Sequence, residues 1–242
     1  MNKKILTLSI LSLPFLSISH VYAAKKAIVL MYHSIGDKNN SMNVKETCFS
    51  EQMDYLHKNG FNVISSLDLV KAIKDKTEVP DKSVIITFDD GWSSQKIAMN
   101  KLAEYNYPAT FALVTQYQKM KTNAYIQKKD IEQYKDQNFL YVNHSRTHFK
   151  KDYLGNPSYD VAKSKQDLID VTNSFIPIYV YPYGAKNSKL LKVIKDDGYI
   201  AGFGVYSHPV YIDTANIFNI NRYLINHTIT MDAFKDIVNM VN

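Results

Sequence analysis

The sequence predicts an α/β domain built on a parallel sheet. Short apolar, β-branched runs alternate with helical periodicity along almost the whole chain, which is the pattern of successive βαβ units. No internal repeat, low-complexity tract or linker divides residues 24–242, so they read as one domain of a size that a single core can organise.

The expected strands are 27–31, 61–64, 84–88, 109–114, 139–142, 178–181, 200–205 and 223–225, each a short run rich in Val, Ile, Phe, Tyr or Ala. Helical periodicity covers 49–58, 93–105, 129–136, 159–173, 188–196 and 231–241. Ahead of the domain, Lys3 and Lys4 precede an apolar run over 5–18 and then Val21-Tyr22-Ala23. This reads as a secretory signal, residues 1–23, cleaved after Ala23. The run is short and broken by serines, which argues against a membrane-spanning helix; an uncleaved anchor is the alternative. The expected location is therefore exported, periplasmic or secreted, with association with the cell envelope.

Cys48 is the single cysteine, so no intramolecular disulfide can form, and its place in a helical pattern suggests a small packing residue. The formal charge of +6 would favour an anionic envelope surface, although Lys is abundant along the entire chain. No basic cluster interleaved with aromatics points to nucleic acid, and nothing calls for an obligate protein partner.

Two segments carry chemistry. Thr87-Phe88-Asp89-Asp90-Gly91-Trp92 closes an apolar run, and two adjacent carboxylates there resist joint ionisation unless a cation or shared proton is close. A strand end followed by a helix cap is the plainer reading, since Asp-Asp-Gly is also turn chemistry. His144-Ser145-Arg146-Thr147-His148 follows another strand-like run. Its two imidazoles would share a face if the segment turned helically. Two histidines with one aspartate make an ordinary ligand set for catalytic zinc, with a position left for water.

These segments resemble the polysaccharide deacetylases of carbohydrate esterase family 4. Thr87 to Gly91 matches the family's Thr-Phe-Asp-Asp-Gly motif, His144, Ser145 and His148 match its His-Ser/Thr-x-x-His motif, and Pro182-Tyr183-Gly184 matches the end of its third motif. Leu30-Met31-Tyr32-His33-Ser34-Ile35 and Gly60-Phe61-Asn62-Val63-Ile64-Ser65 are similar to the opening strands of the branch that acts on exported poly-N-acetylglucosamine. The resemblance implies an irregular (β/α) barrel of about seven strands, with the site at the carboxyl ends of the strands. It also has departures. The third motif often begins with an Arg that positions the catalytic aspartate, and the stretch around Tyr179 to Tyr181 has none. Phe149 and Asn143 stand where Pro and Ser are usual, and the later motifs that supply an aspartate and an acid histidine have no clear match.

The resemblance implies a role for each matched residue. Asp90, His144 and His148 would hold zinc or a similar ion such as cobalt or nickel. Asp89 would be the general base and the backbone N–H of Tyr183 an oxyanion donor. His227 is the candidate acid, with His208 as the alternative. Trp92, Tyr32 and His33 are candidate substrate contacts. Arg222 is expected to orient Asp89 in place of the missing third-motif Arg, the alternative being a surface salt bridge. The implied substrate is an N-acetylated polysaccharide or oligosaccharide, either poly-N-acetylglucosamine or peptidoglycan. A polysaccharide O-acetyl esterase and a non-catalytic glycan-binding or assembly protein of the same fold are the other readings.

Overall fold

The computed structural model describes residues 23–37, 40–120 and 122–241, so all but Ala23 of the expected signal segment lies outside the described residues. No helix among the described residues is long and apolar enough to cross a membrane.

The main sheet has nine strands. They are β1 (Lys26–Tyr32), β2 (Asn62–Val63), β3 (Ser83–Phe88), β4 (Ala109–Leu113), β5 (Phe139–Asn143), β6 (Ile178–Val180), β7 (Ala201–Phe203), β8 (Val210–Tyr211) and β9 (Tyr223–Leu224). Seven of them form the barrel. A parallel ladder runs β1-β3-β4-β5-β6-β7, and β9 pairs in parallel with the other side of β1, Tyr223 against Leu30. A parallel bridge from Phe203 to Ile220 brings β7 to the segment leading into β9 and closes the circuit. β8 lies antiparallel to the start of β1, and β2 pairs with the start of β3.

The helices of the described residues are α1 (Glu46–Lys58), α2 (Ser66–Asp75), α3 (Gln95–Glu104), α4 (Thr115–Lys119), α5 (Lys128–Gln133), α6 (Lys150–Tyr153), α7 (Pro157–Thr172), α8 (Ser188–Asp196) and α9 (Met231–Asn239). Of these, α2, α4 and α6 are absent from the sequence expectation. α2 has a local signal in its capping box: the Ser65 hydroxyl accepts from Asp68 N–H, and the Asp68 carboxylate accepts from Ser65 N–H. Cys48 is exposed on α1 and does not pack in the core, which corrects its reading as a packing residue.

The strand period of two separates two of the core clusters; a third lies between β6 and helices α7 and α8, around Val161, Tyr179 and Leu190. Ile28 and Leu30 of β1 and Val84, Ile86 and Phe88 of β3 pack with Phe49, Met53 and Leu56 of α1 and Met99 and Leu102 of α3. The alternate residues, Val29, Ile85, Ala112, Val142 and Val180, face inward and pack with Leu69, Val70 and Ile73 of α2. The inward row of β3 therefore reads Ile85, Thr87 and, one step past the strand, Asp89.

Candidate active site

Asp89 is 3% exposed, and its N–H donates to Tyr32 O at 2.9 Å, which holds it in line with the strand. Its carboxylate meets a fully buried guanidinium. Arg222 NH1 donates to Oδ1 at 2.7 Å and NH2 to Oδ2 at 2.8 Å, a two-pronged, charge-assisted contact. The same side chain donates through Nε to Gly204 O at 2.7 Å and through NH1 to Thr87 Oγ1 at 3.2 Å. A surface salt bridge is ruled out because Arg222 is 0% exposed. Burial alone would raise the Asp89 pKa, but the Arg222 charge, then His144 and the guanidinium hydrogen bonds, hold it well below the usual carboxylate range.

Asp90 faces a different set of groups. Left-handed backbone at Asp90 (φ 75°) and Gly91 (φ 74°) swings the chain out of the strand line and sets Asp90 at the barrel rim. A side chain at Gly91 would also collide with Gln118 Nε2 at 2.7 Å and Leu113 Cδ2 at 2.9 Å. Asp90 Oδ1 is 3.6 Å from His144 Nε2 and 3.4 Å from His148 Nε2, and the ligand atoms of all three residues lie within 4.8 Å of one another. His144 Nδ1 is 2.8 Å from Val180 O, which can only accept, so Nδ1 carries the proton and Nε2 presents a lone pair to Asp90. Burial lowers the pKa of both imidazoles. For His148, burial and the neighbouring His144 bring it to about 4.

The residues present fit a divalent cation. Asp90 Oδ1 is buried and has no hydrogen-bond partner among the described residues, while the Nε2 atoms of His144 and His148 lie 3.6 and 3.4 Å from it. A buried carboxylate oxygen without a donor is costly in a protein interior, and a cation shared with the two imidazole nitrogens would satisfy it. The route by which the histidines meet differs from the expected helical turn. Residues 144–149 form a loop, with Ser145 (φ 62°) and His148 (φ 67°) left-handed, and this brings the two ring centroids to 5.1 Å.

The remaining expected residues divide. Tyr183 lies on the rim at φ 56°, 60% exposed, with its ring 4.5 Å from that of His148. Gly184 follows at φ 65°, where a Cβ would sit 2.5 Å from Val205. His33 lines the cavity, and its Nδ1 is buried with no partner among the described residues. Tyr32 does not reach the site: it points to the helix side, stacks on Phe88 at 5.4 Å and donates to Gln52 Oε1. Strand parity forces this, because Tyr32 falls on the outward row with Leu30. Trp92 is absent from the cavity lining and instead donates from Nε1 to Asp90 Oδ2 at 3.0 Å. His227 is exposed, with Nδ1 2.8 Å from Ser41 O, and His208 is exposed too; neither lines the cavity.

The cavity holds about 440 Å³ and is lined by Asp89, Asp90, His144, His148, His33, Tyr183, Met31, Met42, Val205 and Leu224. The four apolar members were not anticipated. Met31 and Leu224 are register partners across β1 and β9, a relation visible only once the barrel closes.

This is a barrel with an Asp-His-His cluster able to hold a cation and a buried Asp–Arg pair beside it, with Asp89, Asp90 and His144 following the carboxyl ends of their strands. The sequence profile of the family described as polysaccharide deacetylase matches residues 76–202, just over half of the chain, and the chain belongs to that family. YxkH of Bacillus subtilis, which bears a polysaccharide deacetylase name, is 25% identical over 180 residues. The match covers 73% of this chain and 63% of that protein, so the chain spans less than two thirds of that relative's length. The poly-β-1,6-N-acetyl-D-glucosamine N-deacetylase of Staphylococcus epidermidis is 26% identical over 251 aligned positions, covering 90% of this chain and 83% of that one. Among solved structures, the Streptococcus pyogenes deacetylase PplD, in complex with acetate, superposes with a TM-score of 0.81 at 21% identity, covering 89% of this chain and 99% of that one. At that identity the match describes the fold.

Proposed function

We propose that the protein is an exported, metal-dependent deacetylase that hydrolyses N-acetyl groups of an N-acetylglucosamine polysaccharide, with poly-N-acetylglucosamine the favoured substrate. The observation that carries this reading is the juxtaposition of Asp89, charge-paired by Arg222, with Asp90 Oδ1, which is buried beside two imidazoles and has no partner among the described residues. The similarity to the Staphylococcus epidermidis enzyme supports the substrate class, and the segment from Met1 to Ala23 supports export.

Asp90, His144 and His148 hold the ion, zinc or a cobalt- or nickel-like substitute suited to mixed nitrogen and oxygen ligands. When bound, such an ion acidifies water and polarises a carbonyl. Asp89 is the general base: it stays ionised, oriented by Arg222, and so weak a base takes a proton only from a strongly acidified donor. The Tyr183 backbone N–H, presented by its left-handed turn, faces the developing oxyanion. Met31, Val205 and Leu224 give the acetyl methyl an apolar wall.

The departing amine needs a proton, and His33 supplies it. It lines the cavity with an unpartnered ring nitrogen and lies near enough to act electrostatically on Asp89 and His148, whereas His227 and His208 are exposed outside the lining. The test is acetate release from N-acetylated β-1,6-glucosamine oligomers and from peptidoglycan fragments, before and after chelation and after zinc is restored. Release that disappears with chelator, returns with zinc and is lost in His144→Ala is the expected result. Release indifferent to chelator overturns the metal assignment. Preference for an O-acetylated glycan overturns the N-deacetylase assignment.

A further inference from the structure

We propose that Trp92 is a positioning residue for the metal site: its indole N–H occupies Asp90 Oδ2 and so commits the carboxylate to binding the ion through Oδ1 alone. This rests on the metal-site reading above. Trp92 lies two residues after Asp90, and the paired left-handed residues Asp90 and Gly91 fold the chain back so that Nε1 lies 3.0 Å from Oδ2. The other oxygen, Oδ1, is the one buried without a partner and nearest both imidazoles. The two oxygens of one carboxylate are thus already assigned different work.

The indole is held firmly. Ser93 N–H donates to Ala124 O and Ile126 N–H to Gly91 O, both at 2.9 Å, so the 124–126 segment straps the Asp90–Trp92 turn on both sides. Tyr125 stacks on Trp92 with ring centroids 5.0 Å apart, and Tyr117 stacks on Tyr125 at 4.5 Å. A donor fixed this way opposes rotation of the carboxylate into a two-oxygen grip. One-oxygen binding leaves a coordination position for water or an acetyl oxygen that two-oxygen binding would fill. Partners of metal ligands of this kind typically change metal affinity by about 10–100-fold when removed.

Trp92 is the sole tryptophan, so growing the full chain in a tryptophan auxotroph replaces this residue alone. β-(3-Benzothienyl)alanine keeps the shape and the stacking face but lacks the N–H; 7-azatryptophan keeps the N–H. Zinc affinity, measured by competition with a chelating indicator, should fall about 10–100-fold with the benzothienyl analogue and return close to the natural value with azatryptophan. The cobalt-loaded benzothienyl protein should show weaker visible d–d absorption, as a higher coordination number produces. Unchanged zinc affinity and an unchanged cobalt spectrum would overturn the proposal. Equal losses with both analogues would overturn it as well, since packing and not the N–H would then be responsible. If the natural chain bound zinc no better than His144→Ala, the metal-site reading itself would fall, a separate result from a failure of Trp92.

Discussion

Asp89 and Asp90 are consecutive in the chain and carry the same chemical group, yet the fold compensates their charges in opposite ways. Asp89 continues the inward row of a strand and meets a guanidinium built into the same core. Asp90, one residue on and turned out by a left-handed backbone, meets an indole N–H on one oxygen and has the Nε2 atoms of two imidazoles near the other. The first carboxylate is complete within the protein; the second keeps one buried oxygen without a hydrogen-bond partner among the described residues. Adjacent acids can be divided between base and ligand because strand parity separates their surroundings.

The largest expected effect comes from exchanging these environments chemically. Asp89→Asn should retain zinc while acetate release falls by about 10²–10⁴, the usual worth of a positioned general base. Asp90→Asn should lose zinc. Zinc content by elemental analysis, set beside turnover, separates the two, and a zinc-free Asp89→Asn with residual turnover would reverse the assignments.

Arg222→Met breaks the comparison from the other side. It leaves Asp89 buried without its countercharge, which in buried pairs costs about 3–5 kcal/mol. A sharp fall in the denaturant midpoint is expected, together with a strong loss of acetate release and little change in zinc affinity. Asp89→Asn/Arg222→Met should recover part of the lost stability. Stability unchanged in Arg222→Met would mean that the guanidinium is not what keeps Asp89 charged.

Much of this arrangement is legible in the sequence, and what is not has a physical reason. The apolar runs mark the barrel strands because buried parallel strands are apolar on both faces. Thr87 to Trp92 and His144 to His148 mark the site because, although each is ambiguous alone, together they match the family's motifs and supply a metal-ligand set. Tyr32 misleads because proximity in sequence to His33 says nothing about which face of the strand it occupies. His227 follows the last strand in sequence but is exposed outside the cavity lining, whereas His33 lines it, a difference that sequence position does not reveal. The 124–126 strap carries no composition or periodicity that would announce it; only the folded turn shows what it holds.

A third buried carboxylate sharpens the comparison with the smallest expected effect. Asp160 on α7 is 2% exposed, as inaccessible as Asp89, but its contacts are long bonds from the Arg146 backbone N–H at 3.2 and 3.3 Å, with no guanidinium fork. Burial, assisted by the nearby Asp152, pushes its carboxyl up to about 6, against the pull of the Arg146 N–H. The native state therefore holds a proton that the unfolded chain, with an ordinary aspartate near pKa 3.9, has already released. Between those two values the native state binds more protons, so this residue's contribution to stability declines as pH rises through about 4 to 6, the reverse of Asp89. Asp160→Asn keeps an acceptor for Arg146 N–H and removes the titration. It should raise the melting temperature near pH 7 by about 2–4 °C, the shift that about 1 kcal/mol produces in a domain of this size. The gain should shrink as the pH is lowered and vanish below about 4, where Asp160 becomes protonated in both states. A gain that held constant across that range would show that packing, and not an uncompensated charge, separates Asp160 from Asp89.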